Sequence, residues 1–137
     1  MKRAAICAVL LCLLVTACHK ETPVEKVETL YRKVYKIITM NNTMVAYKFL
    51  DNYVKNNLML IKTTFQEAEQ QYNALPETEQ EAYRRDLAAR IRPYLPTLLQ
   101  FERRMMENRV FGNKILKVTT HLEPDFIMDI HLEYQQY

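Results

Sequence analysis

The chain has 137 residues, 49% of them hydrophobic, and a formal charge of +3 from 19 basic and 16 acidic side chains. Such a near-balance leaves no electrostatic case for nucleic acid as a partner. The chain has one glycine, Gly112. That excludes glycine-rich phosphate loops and folds built on many tight turns, and it points to long helices with few connections.

The N-terminus carries two positive charges in Met1-Lys2-Arg3, followed by an uncharged run over 4–17. A spanning helix needs about 20 apolar residues, so this run is too short for one. A basic start, a short apolar stretch and small residues at its end read as a signal peptide over 1–17 that is removed from the mature chain. The segment ends Leu14-Val15-Thr16-Ala17-Cys18. It resembles the lipobox of bacterial lipoproteins, with an aliphatic residue three before the cysteine and a small one just before it. The resemblance implies diacylglyceryl transfer to the Cys18 sulfur, cleavage after Ala17 and acylation of the new amine by a palmitate-type chain. Residues 18–23 then form a lipidated tether, and several acyl chains suffice for stable anchoring. In such lipoproteins an aspartate after the cysteine favours the inner membrane. His19 stands there instead and points to the periplasmic face of the outer membrane. Cys7 and Cys12, the only other cysteines, leave with the signal. The mature chain then has no free thiol, which suits an oxidising envelope.

After the tether, Val24, Val27, Tyr31, Val34 and Ile38 recur at helical spacing and predict a helix over 24–40. Asn41-Asn42-Thr43 ends it and caps the next. Tyr47, Leu50, Val54, Leu58, Ile61, Phe65, Ala68, Tyr72 and Leu75 form one stripe, so a second helix is expected over 44–75. If continuous it is about 47 Å long, with Asn56-Asn57 as its weak point and Pro76 as its stop. Thr78-Glu79-Gln80-Glu81 has the pattern of a capping box. It introduces a third helix bearing Tyr83, Leu87, Ile91 and Tyr94. Pro93 and Pro96 break that helix, and a fourth follows over 97–110, with Gly112 placed for a left-handed C-terminal cap.

The period then changes to two. Leu116, Val118, Thr120 and Leu122 alternate with Lys117, Thr119 and His121. Beyond Glu123-Pro124-Asp125, Phe126, Met128, Ile130, Leu132 and Tyr134 alternate with Ile127, Asp129, His131 and Glu133. This reads as a C-terminal β-hairpin over 114–134. Its open edges mark it as the partner-facing part.

The expected fold is therefore mainly α (α+β): a three- or four-helix bundle with a C-terminal β-hairpin, forming one domain over 24–137. In the hairpin register His121 and His131 do not converge, and both are expected on a solvated face rather than in a metal site. Tyr53 and Tyr137 are expected to be available for contact. No nucleophile context, metal set or cofactor motif stands out, so no enzyme activity and no cofactor are expected. The functional expectation is a membrane-anchored envelope lipoprotein that is non-enzymatic and binds or helps assemble an envelope protein, as small pilotin-type lipoproteins do by class. The alternative is a small-ligand lipoprotein with a helix-over-sheet pocket of the cystatin-like or nuclear-transport-factor-like kind. Cys18 is the one committed site residue, as the point of lipidation.

Overall fold

The computed structural model describes residues 20–135. The signal segment, Cys18 and His19 lie outside the described residues, as does Tyr137. Among the described residues the fold is a bundle of seven helices and one 3-10 turn, with no strand. No helix among them is long and apolar enough to cross a membrane.

Helix α1 (Pro23–Ile38) is the centre of the bundle. Its start is fixed twice: Pro23 sits in the first turn, and Thr22 and Glu25 form a reciprocal capping box. The Thr22 hydroxyl accepts from the Glu25 N–H at 3.2 Å, and the Glu25 carboxylate accepts from the Thr22 N–H at 2.8 Å. Val24, Val27, Leu30, Tyr31, Val34 and Ile38 are buried, a stripe wide enough to pack against four neighbouring helices.

The expected long second helix is two helices, α2 (Thr43–Asn56) and α3 (Leu58–Ala74). The break falls at Asn57, whose side-chain amide donates to the Tyr53 carbonyl at 2.8 Å. An asparagine that binds backbone in this way competes with the helical ladder. The apolar stripe runs through the break, with Leu50, Val54, Ile61, Phe65 and Ala68 all buried. Leu58, beside the break, is half-buried.

Helix α4 (Glu77–Ile91) starts before the expected capping box. Pro76 holds the entry, and its carbonyl accepts from the Glu79 and Gln80 N–H groups at 2.8 and 3.2 Å. Thr78 therefore lies inside the first turn and caps nothing. Helix α5 (Leu95–Met106) has Pro96 in its first turn and ends earlier than the apolar pattern suggests.

The expected hairpin is absent. Its first half is helix α6 (Gly112–Thr119) followed by the 3-10 turn Thr120–Leu122, and its second half is helix α7 (Asp125–Gln135). The apolar residues are dense enough to satisfy either period. At helical spacing, Ile115, Val118, Thr119 and Leu122 make one buried stripe, and Ile127, Ile130 and His131 make another. Thr119, Ile127 and His131, assigned to the polar face of a strand, are each buried. A lone hairpin also leaves ladder groups unpaired that two helices satisfy within themselves. Gly112 is not a left-handed cap, since no residue among those described has a positive φ. It opens α6 at a close approach, where an added Cβ would lie 2.7 Å from the Met106 carbonyl oxygen.

Candidate functional site

A cleft of about 460 Å³ lies between α2 and α6. Helix α2 contributes Tyr47, Asp51, Val54 and Lys55, which share a face at spacings of three and four. Helix α6 and the turn after it contribute Lys114, Lys117, Val118 and His121 on the same principle. The Tyr47 and Phe111 rings pack at the cleft with centroids 4.6 Å apart. Asp51 accepts from the Lys55 ammonium at 2.6 Å, which holds Lys55 above the usual lysine range. Burial, followed by the Asp51 charge, raises the Tyr47 phenol. Lys114 and Lys117 are exposed and have no ion-pair partner among the described residues. Three lysines and one carboxylate thus line a cleft with an apolar floor.

A second polar cluster is sealed inside the bundle. The Tyr31 oxygen lies 2.7 Å from the Leu122 carbonyl and 2.7 Å from His131 Nε2. A carbonyl only accepts, so the single phenolic proton goes to Leu122, and His131 Nε2 must carry a hydrogen and donate to Tyr31. His131 Nδ1 then faces Glu123 Oε1 at 3.4 Å, and neither atom has a hydrogen-bond partner. A proton between them satisfies both; without one, a lone pair meets a carboxylate oxygen in the core. Nearby, Glu102 accepts from the Thr119 hydroxyl at 2.7 Å. Burial raises the Glu102 carboxyl above its ordinary value. The Thr119 bond opposes this, the Glu123 charge adds to it, and His131 opposes it. Burial also pushes the Tyr31 phenol well above its usual range, with a smaller contribution from Glu123. The cluster pins α7 and the 3-10 turn onto α1. His131 is only 1% exposed, so the cluster is closed to solvent at that residue.

A third feature lies at one end of the bundle. Met40, between α1 and α2, is exposed, as are Met44 and Val45 at the start of α2 and Met106 and Val110 around the α5–α6 connection. The Asn108 amide donates to the Met44 sulfur at 3.8 Å, which brings the two connections together.

These positions differ from the sequence expectations in several ways. His121 lines the cleft, and His131 is a core residue rather than a solvated one. Tyr53 is half-buried against the core, with its phenol raised by burial. The sealed cluster is hidden in the sequence because Thr119 and His131 alternate correctly for a strand; the helical spacing of Thr119 with Ile115 and of His131 with Ile127 is the signal that reveals them. Among the described residues, no group of three His, Cys, Asp or Glu side chains is placed to hold a metal ion. Compared with known proteins, the chain matches no family model, no curated protein and no solved structure.

Proposed function

We propose that this chain is a cell-envelope lipoprotein, anchored through acyl chains on Cys18, that acts without catalysis by docking an envelope protein. The observation that carries the docking is the exposed apolar end formed by Met40, Met44, Val45, Met106 and Val110. Grouped exposed apolar side chains mark interaction surfaces, and methionine suits a surface that adapts to its partner. The location favours a protein over the anchoring bilayer. Cys18 precedes α1, whereas Met40 follows it, and 16 helical residues separate the two ends by about 24 Å. The apolar end thus stands at the far end of α1 from the lipid. The earlier expectation of a partner-facing hairpin has no structural basis, because that segment is helical and pinned to the core. A helix-over-sheet ligand pocket likewise has no sheet among the described residues.

Anchoring and docking are tested separately. Metabolic labelling with a palmitate analogue should mark the chain and be lost in Cys18→Ala; a labelled Cys18→Ala chain refutes lipidation at that residue. A photo-crosslinking residue at Met44 or Val110 should capture one defined protein in intact cells. The same residue at Gln71 serves as the control. Gln71 is exposed on α3, whose Glu67 pairs with Lys26 near the tether end of α1. Capture at Gln71 and not at Met44 or Val110 overturns the assignment of the docking end.

A further inference from the structure

We infer that the cleft between α2 and α6 binds an apolar anion: a small alkyl or aryl body ending in a carboxylate, sulfonate or phosphate. This site adjoins the docking end but shares no residue with it, and the inference does not rest on the docking.

Three observations converge on that chemistry. The volume of about 460 Å³ falls in the range of small-molecule sites. The floor is apolar and aromatic, made by Tyr47, Val54, Leu58, Phe111 and Val118. Tyr47 is 6% exposed and Val118 is 5% exposed, so both are held by the core and the floor is pre-formed. The rim is cationic and unevenly paired. Lys55 is matched by Asp51, while Lys114 and Lys117 stand one turn apart on α6 without a counter-charge among the described residues.

Five cations elsewhere on the bundle, Lys26, Arg32, Arg84, Arg85 and Arg90, do have carboxylate partners close by. Two neighbouring ammonium groups over an apolar floor repel each other and attract an anion whose body displaces water from the aromatic pair. A cationic or uncharged guest of the same shape lacks that attraction. His121 lies on the same stripe one turn beyond Lys117 and provides an additional donor.

The test uses the full chain and the photoreactive anion 4-benzoylbenzoate, whose benzophenone body is apolar. Adducts mapped by mass spectrometry should concentrate in 47–58 and 111–121 and should be competed by octyl phosphate. Removing each lysine's charge-assisted contact should weaken labelling about tenfold, so Lys114→Gln/Lys117→Gln together should nearly abolish it. Lys114→Arg/Lys117→Arg should retain it. Both pairs sit at exposed positions, and circular dichroism should show parental helicity in each. The inference fails if neutral benzophenone labels the same segments equally well, if adducts spread over the surface, or if the double glutamine variant labels like the parent. It also fails if a synthetic acidic peptide competes and octyl phosphate does not, since the occupant is then a protein segment.

Discussion

Replacing Tyr31 by phenylalanine removes one oxygen atom and leaves the ring in place, so no cavity term enters. The loss comes from the two groups that oxygen serves. The Leu122 carbonyl loses its donor and His131 Nε2 loses its acceptor, both in the core. Each buried polar group left without a partner costs about 1–3 kcal/mol, which sets the total for the two at roughly 2–6 kcal/mol. For a domain of this size that lowers the thermal midpoint by about 8–24 °C. Tyr83→Phe is the internal control. Its hydroxyl makes one bond, to the Ala68 carbonyl at 2.9 Å, at a half-exposed position, and its loss should cost about 1 kcal/mol. The assay is urea unfolding of both variants, with amide exchange along α7 as the local readout. The high pH limb adds a second signature. The Tyr31 phenol is raised in the folded state, so its contribution is intact below the ordinary value of 10.0 and is lost as pH rises toward the folded value. Tyr31→Phe should remove that alkaline component. The reasoning is refuted if Tyr31→Phe costs no more than Tyr83→Phe, or if α7 exchanges at the parental rate.

Glu102→Gln should match or exceed the parent in stability at neutral pH. The carboxyl is raised in the folded state, so its contribution is complete below the ordinary 4.5 and is lost as pH rises through the folded value. Urea midpoints at a series of pH values should show that slope in the parent and not in the glutamine variant. Ile61→Ala, at a position 1% exposed, should cost about 2–5 kcal/mol, whereas Met59→Ala, at 74%, should change stability by less than about 0.5 kcal/mol. A thermal melt of each variant separates the two outcomes. Gly112→Ala should destabilise despite alanine's better helix propensity, because the new methyl group meets the Met106 carbonyl. A variant as stable as the parent contradicts that crowding.

The helices of the first two-thirds were legible because their apolar spacing fits one period only. The stripe from Val24 to Ile38 does not alternate, and its residues are buried as expected. The division at Asn57 was visible as a weak point, since the stripe gives no reason to break there and only the asparagine does. The capping box was placed on Thr78 because the motif is short; Thr22 and Glu25 carry the same pattern and form the real one. The last third misled because adjacent apolar pairs, such as Ile115-Leu116 and Phe126-Ile127, place a hydrophobe on whichever face is being read. Tertiary burial decides such cases. Of the candidate sites, Lys114, Lys117 and His121 were visible as residue types, but their convergence on the α2 face required the helix they stand on. The sealed cluster joins residues 91 and 100 positions apart, a proximity that periodicity alone does not encode.

That same long reach has a consequence for the order in which the molecule assembles. Tyr31 belongs to the first helix of the bundle, and the groups that satisfy its hydroxyl arrive with Leu122 and His131, near the other end of the chain. Until they do, the central helix has a hydroxyl on the face meant for burial, and packing around it leaves a polar group without a partner. Closing a loop of this length is among the slower events available to a helical chain. The core therefore cannot be completed from the N-terminal helices alone. A chain that still lacks its last described helix leaves the Tyr31 hydroxyl without His131, and that helix completes the centre by supplying it.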